Sequence, residues 1–150
     1  MEEGVRAGKI RSIGLSNFNI KQIERVLQHA TIEPAVLQIE VHPYFTQNNL
    51  LEFCKKHGIV VTAYCPLANN AHVFRSEGQP NLLEDKVMAD LAHKYNKTPA
   101  QIAIQENFQV WDFHLTPDDM AAISGLNRSW RITHMNQDSA HPYYPFKEEI

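Results

Sequence analysis

The sequence is most informative first for what it has little of. It holds only two cysteines, Cys54 and Cys65, in 150 residues, too few for a disulfide-stapled secreted fold. It has no uninterrupted run of about 18 apolar residues, which a membrane-spanning helix needs. Neither sign of charge dominates: 14 Lys and Arg stand against 17 Asp and Glu, a net −3 at pH 7. Nothing there favours a nucleic acid or an anionic membrane surface as partner. Met1 is followed by Glu2 and Glu3 rather than by a basic and then an apolar stretch, so no secretory leader is expected and a cytoplasmic location is. The six glycines never gather into a G-x-G-x-x-G or Walker loop, the usual mark of phosphate binding in an open doubly wound sheet.

What is present is ordinary in amount and regular in order. Apolar residues make up 43% and charged residues 21%, enough for a sizeable core in a chain read as one domain, 1–150. Strand and helix signals alternate. Residues 10–15 predict a strand, and Asn19 then caps a helix whose apolar positions are Ile20, Ile23, Val26, Leu27 and Ala30, with Gln22 placed for a capping box. Residues 35–41 predict a second strand. Thr46 is expected to cap the next helix, which buries Leu50, Phe53 and Cys54 and stops at Gly58. Residues 59–64 form a nearly continuous apolar run, the pattern of a parallel strand covered on both faces. After a long loop, a helix carries Val87, Met88, Leu91, Ala92 and Tyr95 on one face. Thr98-Pro99 and Thr116-Pro117 each pair a cap residue with a proline at the first helical position.

Polar residues cluster at the ends of all three strands: Ser16 and Asn17, then Gln38, Glu40 and His42, then Tyr64 and Cys65. In a closed parallel barrel such ends form the floor of the active site, so a barrel is the better reading of the β/α alternation, although only three of its eight strands can be counted. Glu40 and His42 raise the thought of a metal, but no third ligand lies at sensible spacing, and a structural histidine is the expectation.

These segments resemble a known family. Residues 8–18, from Gly8 through Ser16-Asn17-Phe18, resemble the G-x-x-K/R-x-I-G-x-S-N-F signature of the aldo-keto reductases, nearest to the aldose and aldehyde reductase group. Residues 38–44 and 62–67 resemble that family's next two strands, and Leu82-Leu83-Glu84-Asp85, residues 96–101, Glu106-Asn107-Phe108 and Tyr144-Pro145-Phe146 also match. The resemblance implies an α/β fold of the (β/α)8 TIM-barrel type, of which this chain would hold about strands 5 to 7 with their helices. It also implies an NADPH-dependent oxidoreductase that reduces small aldehydes and ketones. Ser16, Asn17 and Gln38 would hold the nicotinamide carboxamide, fixing the ring face presented to substrate. Tyr64 would stack on the ring, Leu67 would line the pyrophosphate strap, and Glu106 and Asn107 would bond the adenine edge. Phe74, Trp130 and Met135 match positions that shape the substrate pocket.

Two departures temper this. The family's catalytic Asp, Tyr, Lys and His come from strands that precede the segment matched at Met1, which falls near the end of the family's fourth helix. The eighth strand, ending in I-P-K-S, is also missing, because Ile104 runs directly into Gln105-Glu106-Asn107. With it goes the clamp for the 2′-phosphate. Each charged hydrogen bond lost is worth about 1.5–3 kcal/mol, so NADPH binding by these residues alone is expected to be at least about a hundredfold weaker or absent. The alternatives are a non-catalytic truncated isoform that associates through exposed strand edges, with itself or a relative, and a splice or gene-model product that does not fold.

Overall fold

The computed structural model describes residues 1–68, 79–108 and 113–147, with backbone alone for 106–108. They fall into two compact units. The first comprises Met1–Ile39, Gln47–Tyr64 and Thr133–Ile150, and the second Glu40–Thr46 and Cys65–Ile132.

The first unit is the β/α alternation. Helix α1 (Glu2–Arg6) leads through β1 (Gly14–Ser16), α2 (Ile20–His29), β2 (Val36–Glu40, whose last residue belongs to the second unit) and α3 (Asn48–Lys56) to β3 (Val60–Tyr64). The strands form one sheet in the order β1-β2-β3. β1 and β2 run parallel, with Gly14 opposite Val36, Leu15 opposite Leu37 and Ser16 opposite Gln38. Glycine at position 14 is a packing requirement, since a Cβ there would stand 2.8 Å from the Val36 carbonyl oxygen.

β1 is shorter than its apolar pattern predicts. The backbone N–H groups of Lys9 and Ile10 are spent closing α1 on the Gly4 carbonyl, so residues 9 and 10 cannot also join the sheet. Asn19 caps α2 as expected: its side chain accepts from the Gln22 N–H while the Gln22 side chain accepts from the Asn19 N–H. Gly58, at φ +68, supplies the left-handed turn that ends α3. The expectation that Thr46 caps α3 fails. Gln47 holds that place in a left-handed conformation with no side-chain bond, and Thr46 is buried with its N–H directed to Asn127 Oδ1. Nor is β3 covered on both faces. It lies at one edge of the three-stranded sheet, its residues are at most partly buried, and Val60 is 64% exposed.

The second unit packs α4 (Lys86–Tyr95), α5 (Pro99–Phe108) and α6 (Pro117–Ser124) around Tyr44, Leu82, Met88, Ile102 and Ile123. α4 buries Met88, Leu91 and Ala92 on its predicted face. Thr116 caps α6 with Pro117 at its first turn and Asp119 completing a capping box. α5 continues as helix through 106–108, where the family pattern expects the chain to have passed through a further strand. No helix among the described residues is long and apolar enough to cross a membrane.

Candidate functional site

Three successive strand ends of the first unit bring four of the expected residues together. Ser16 and Gln38 face each other across the β1–β2 pair and are both exposed. Asn17 follows in a left-handed conformation, φ +58, which asparagine tolerates better than most residues. Its N–H continues the ladder to the Gln38 carbonyl at 3.0 Å. Its Oδ1 accepts from the Tyr64 hydroxyl at 3.0 Å. That bond uses the amide oxygen and fixes the orientation of the side chain, turning the Nδ2 donor away from Tyr64. The result is a small polar platform of hydroxyl, two amides and an aromatic ring. Met135 belongs to the same unit, in a left-handed conformation ahead of a short 3-10 turn, Asn136–Asp138. No hydrogen bond joins it to these four.

The remaining candidates lie in the second unit or outside the described residues. The segment after β3 includes two left-handed residues, Cys65 and Ala68, at φ +53 and +52, and Leu67 packs against the helical core. Burial pushes the Cys65 thiol up, and the Glu40 carboxylate pushes it further. This is the opposite of an activated nucleophile. Glu106 and Asn107 occupy the last turn of α5, and their side chains, like Phe74, fall outside the described residues. Trp130 sits edge-on to Tyr44 and His42, with ring centroids 6.1 and 6.2 Å apart.

Glu40 and His42 form a buried pair. His42 Nε2 lies 3.0 Å from Glu40 Oε1, which also accepts from the Ile132 N–H at 2.6 Å. Among the described residues no group of three metal-capable side chains occurs, and the carboxylate is occupied in holding the chain at Ile132.

Two features escaped the sequence reading. Asp119 is buried and bound by Lys94, Tyr95 and Thr116. Residues 142–147 are fastened to α2: Asn19 Nδ2 donates to the Pro145 carbonyl at 3.0 Å and Gln22 Nε2 to the Tyr143 carbonyl at 2.8 Å. Apart from the local Thr116 cap, neither follows from a local pattern, because the partners stand 24 to 126 positions apart.

An α/β segment with a three-stranded sheet and a polar set at its strand ends defines a fold class rather than one activity. Comparison narrows it: the Aldo/keto reductase family matches residues 1–105, and the chain belongs to that family. Aldo-keto reductase family 1 member A1 of Gallus gallus is 40% identical over 177 residues, covering 99% of this chain and 54% of that protein. Prostaglandin F synthase 2 of Bos taurus is 42% identical over 172 residues, covering 99% and 53%. The Homo sapiens member A1 is 36% identical over 177 residues, covering 99% and 54%. The chain spans about half the length of these relatives. A match 177 residues long against a chain of 150 leaves at least 177 − 150 = 27 positions without a counterpart, in keeping with an internal deletion.

Proposed function

We propose that these residues form the nicotinamide-holding side of an NADPH-dependent carbonyl reductase. The observation that carries this reading is the joined set Ser16, Asn17, Gln38 and Tyr64. The group fits them: a carboxamide needs both donors and acceptors, which an exposed hydroxyl and two amides offer. Tyr64, through its bond to Asn17, fixes which face of that amide is presented. When bound, NADPH supplies the hydride. The chain's own Ser16, Asn17, Gln38 and Tyr64 hold and orient the ring, while the adenine-side and substrate-side roles of Leu67, Glu106, Asn107, Phe74, Trp130 and Met135 rest on the family resemblance alone. Proton donation and the 2′-phosphate clamp belong to residues outside this set, so the 150 residues alone bind NADPH weakly and do not turn over.

The test is a fluorescence titration with NADPH beside an assay on a simple aldehyde. Binding at or above the high micromolar range with no turnover supports the reading, while tight binding or turnover by the chain alone overturns it.

A second reading, a non-catalytic chain that acts by association, draws on Val60. A 64% exposed valine on an outer strand is the kind of edge another strand can cover. Size-exclusion chromatography separates the two: a stable monomer at micromolar concentration removes the second.

A further inference from the structure

The outer side of α2 and residues 142–147 flank a groove of about 830 Å3. Small-molecule pockets commonly measure about 300–1,000 Å3. Its lining divides by burial. Phe18, Val26 and Tyr144 are partly or fully buried and give an apolar body, whereas Lys21, Arg25 and Lys147 are exposed and cationic. Among the described residues no Asp or Glu lines it, since Glu24, the acid of α2, lies off that face.

The walls are set in advance. Asn19 and Gln22 pin the carbonyls of Pro145 and Tyr143, and the Arg25 guanidinium lies 5.2 Å from the centroid of the Tyr143 ring. A groove already held open loses little to ordering when a ligand enters. Its electrostatics have a sign as well. Hydrogen bonding and charge from Arg25 bring the Tyr143 phenol below its ordinary range, and a field that favours a phenolate favours other anions in the same place.

We propose that this groove is a binding site for a small amphipathic anion, an aryl carboxylate whose ring lies against Phe18, Val26 and Tyr144 and whose carboxylate meets Arg25, Lys21 and Lys147. None of these residues belongs to the strand-end set Ser16, Asn17, Gln38 and Tyr64, so the site stands or falls independently of NADPH binding.

The experiment titrates the full 150-residue chain with 2-naphthoate and, separately, with neutral 2-naphthamide, following amide resonances by NMR. Naphthoate is expected to saturate and to shift residues of α2 and of 142–147, with naphthamide binding more weakly. The double variant Lys21→Gln/Lys147→Gln should weaken naphthoate by about fivefold, the worth of two exposed charge contacts, and leave naphthamide and the melting temperature unchanged. Val26→Trp, which fills the groove, should abolish both. Equal affinity for acid and amide, shifts confined to other surfaces, indifference to Val26→Trp, or no saturable binding in the millimolar range would each overturn the proposal.

Discussion

Lys94 Nζ donates to both carboxylate oxygens of Asp119, at 2.7 and 2.9 Å, across 25 positions of sequence. Tyr95 and Thr116 bond the same carboxylate. Burial alone would raise the Asp119 carboxyl, but the donors from Lys94, Tyr95 and Thr116 outweigh it and hold the group well below its usual 3.8. A depressed folded value means that the stability is present above the unfolded value and lost as pH falls through the folded one. Denaturant melts of the wild type should therefore lose stability progressively below about pH 4, where the unfolded carboxyl takes up its proton. Asp119→Ala should cost about 2 kcal/mol at neutral pH through the lost cap and bonds and should show a flatter acid limb. An unchanged acid limb in the variant would remove Asp119 as its source.

Gly14→Ala tests the sheet. The added methyl carbon would press on the Val36 carbonyl oxygen at 2.8 Å, and backbone cannot yield as a flexible side chain can. Parting β1 from β2 should cost about 2 kcal/mol, read as a lower melting temperature. Faster exchange of the Asn17 amide, which donates to Gln38 across the same pair, should accompany it.

The thiols should be slow. Burial raises both Cys54 and Cys65, and the Glu40 carboxylate adds to the rise at Cys65, so each holds less thiolate at pH 8 than free cysteine does. Alkylation of the folded chain, followed by mass spectrometry, should lag behind that of the unfolded chain at pH 8. Cys65 should close the gap first as pH rises, because Cys54 is fully buried. Rapid modification of Cys65 at neutral pH would contradict this.

Asn19→Ala should act at two distant places. The capping box is worth about 1 kcal/mol and the bond to the Pro145 carbonyl about as much again. A melt should report the sum, and hydrogen exchange should rise both in the first turn of α2 and in residues 143–147. Loosening of α2 alone would show that the tail is held by other contacts.

Much of the fold was legible because its signals are local. Asn19 with Gln22, Thr116 with Pro117, and Gly58 each announce a helix end through a bond or backbone angle made within a few residues. Thr46 misled because a threonine before a helix pattern looks like a cap, while its backbone N–H was claimed by Asn127, 81 positions on. β1 was overextended because apolar alternation does not reveal that Lys9 and Ile10 are engaged at the end of α1. At the strand ends, Ser16, Asn17, Gln38 and Tyr64 were readable as a set through the family resemblance. The Tyr64 bond that orients Asn17, and the basic groove beside α2, were not, because side-chain partners across a fold leave no periodic trace.

The clamp from Asn19 to Pro145 spans 126 positions, and this has a consequence for how the molecule comes into being. Contacts between remote parts of a chain wait on everything that must close before them, and synthesis proceeds from the amino end. The cap on α2 can form while the polypeptide is still emerging from the ribosome, but its second partner has not yet been made. The groove beside α2 therefore waits on the synthesis of residues 142–147, and nascent chains stalled before residue 142 would lack it even with every strand of the sheet in place.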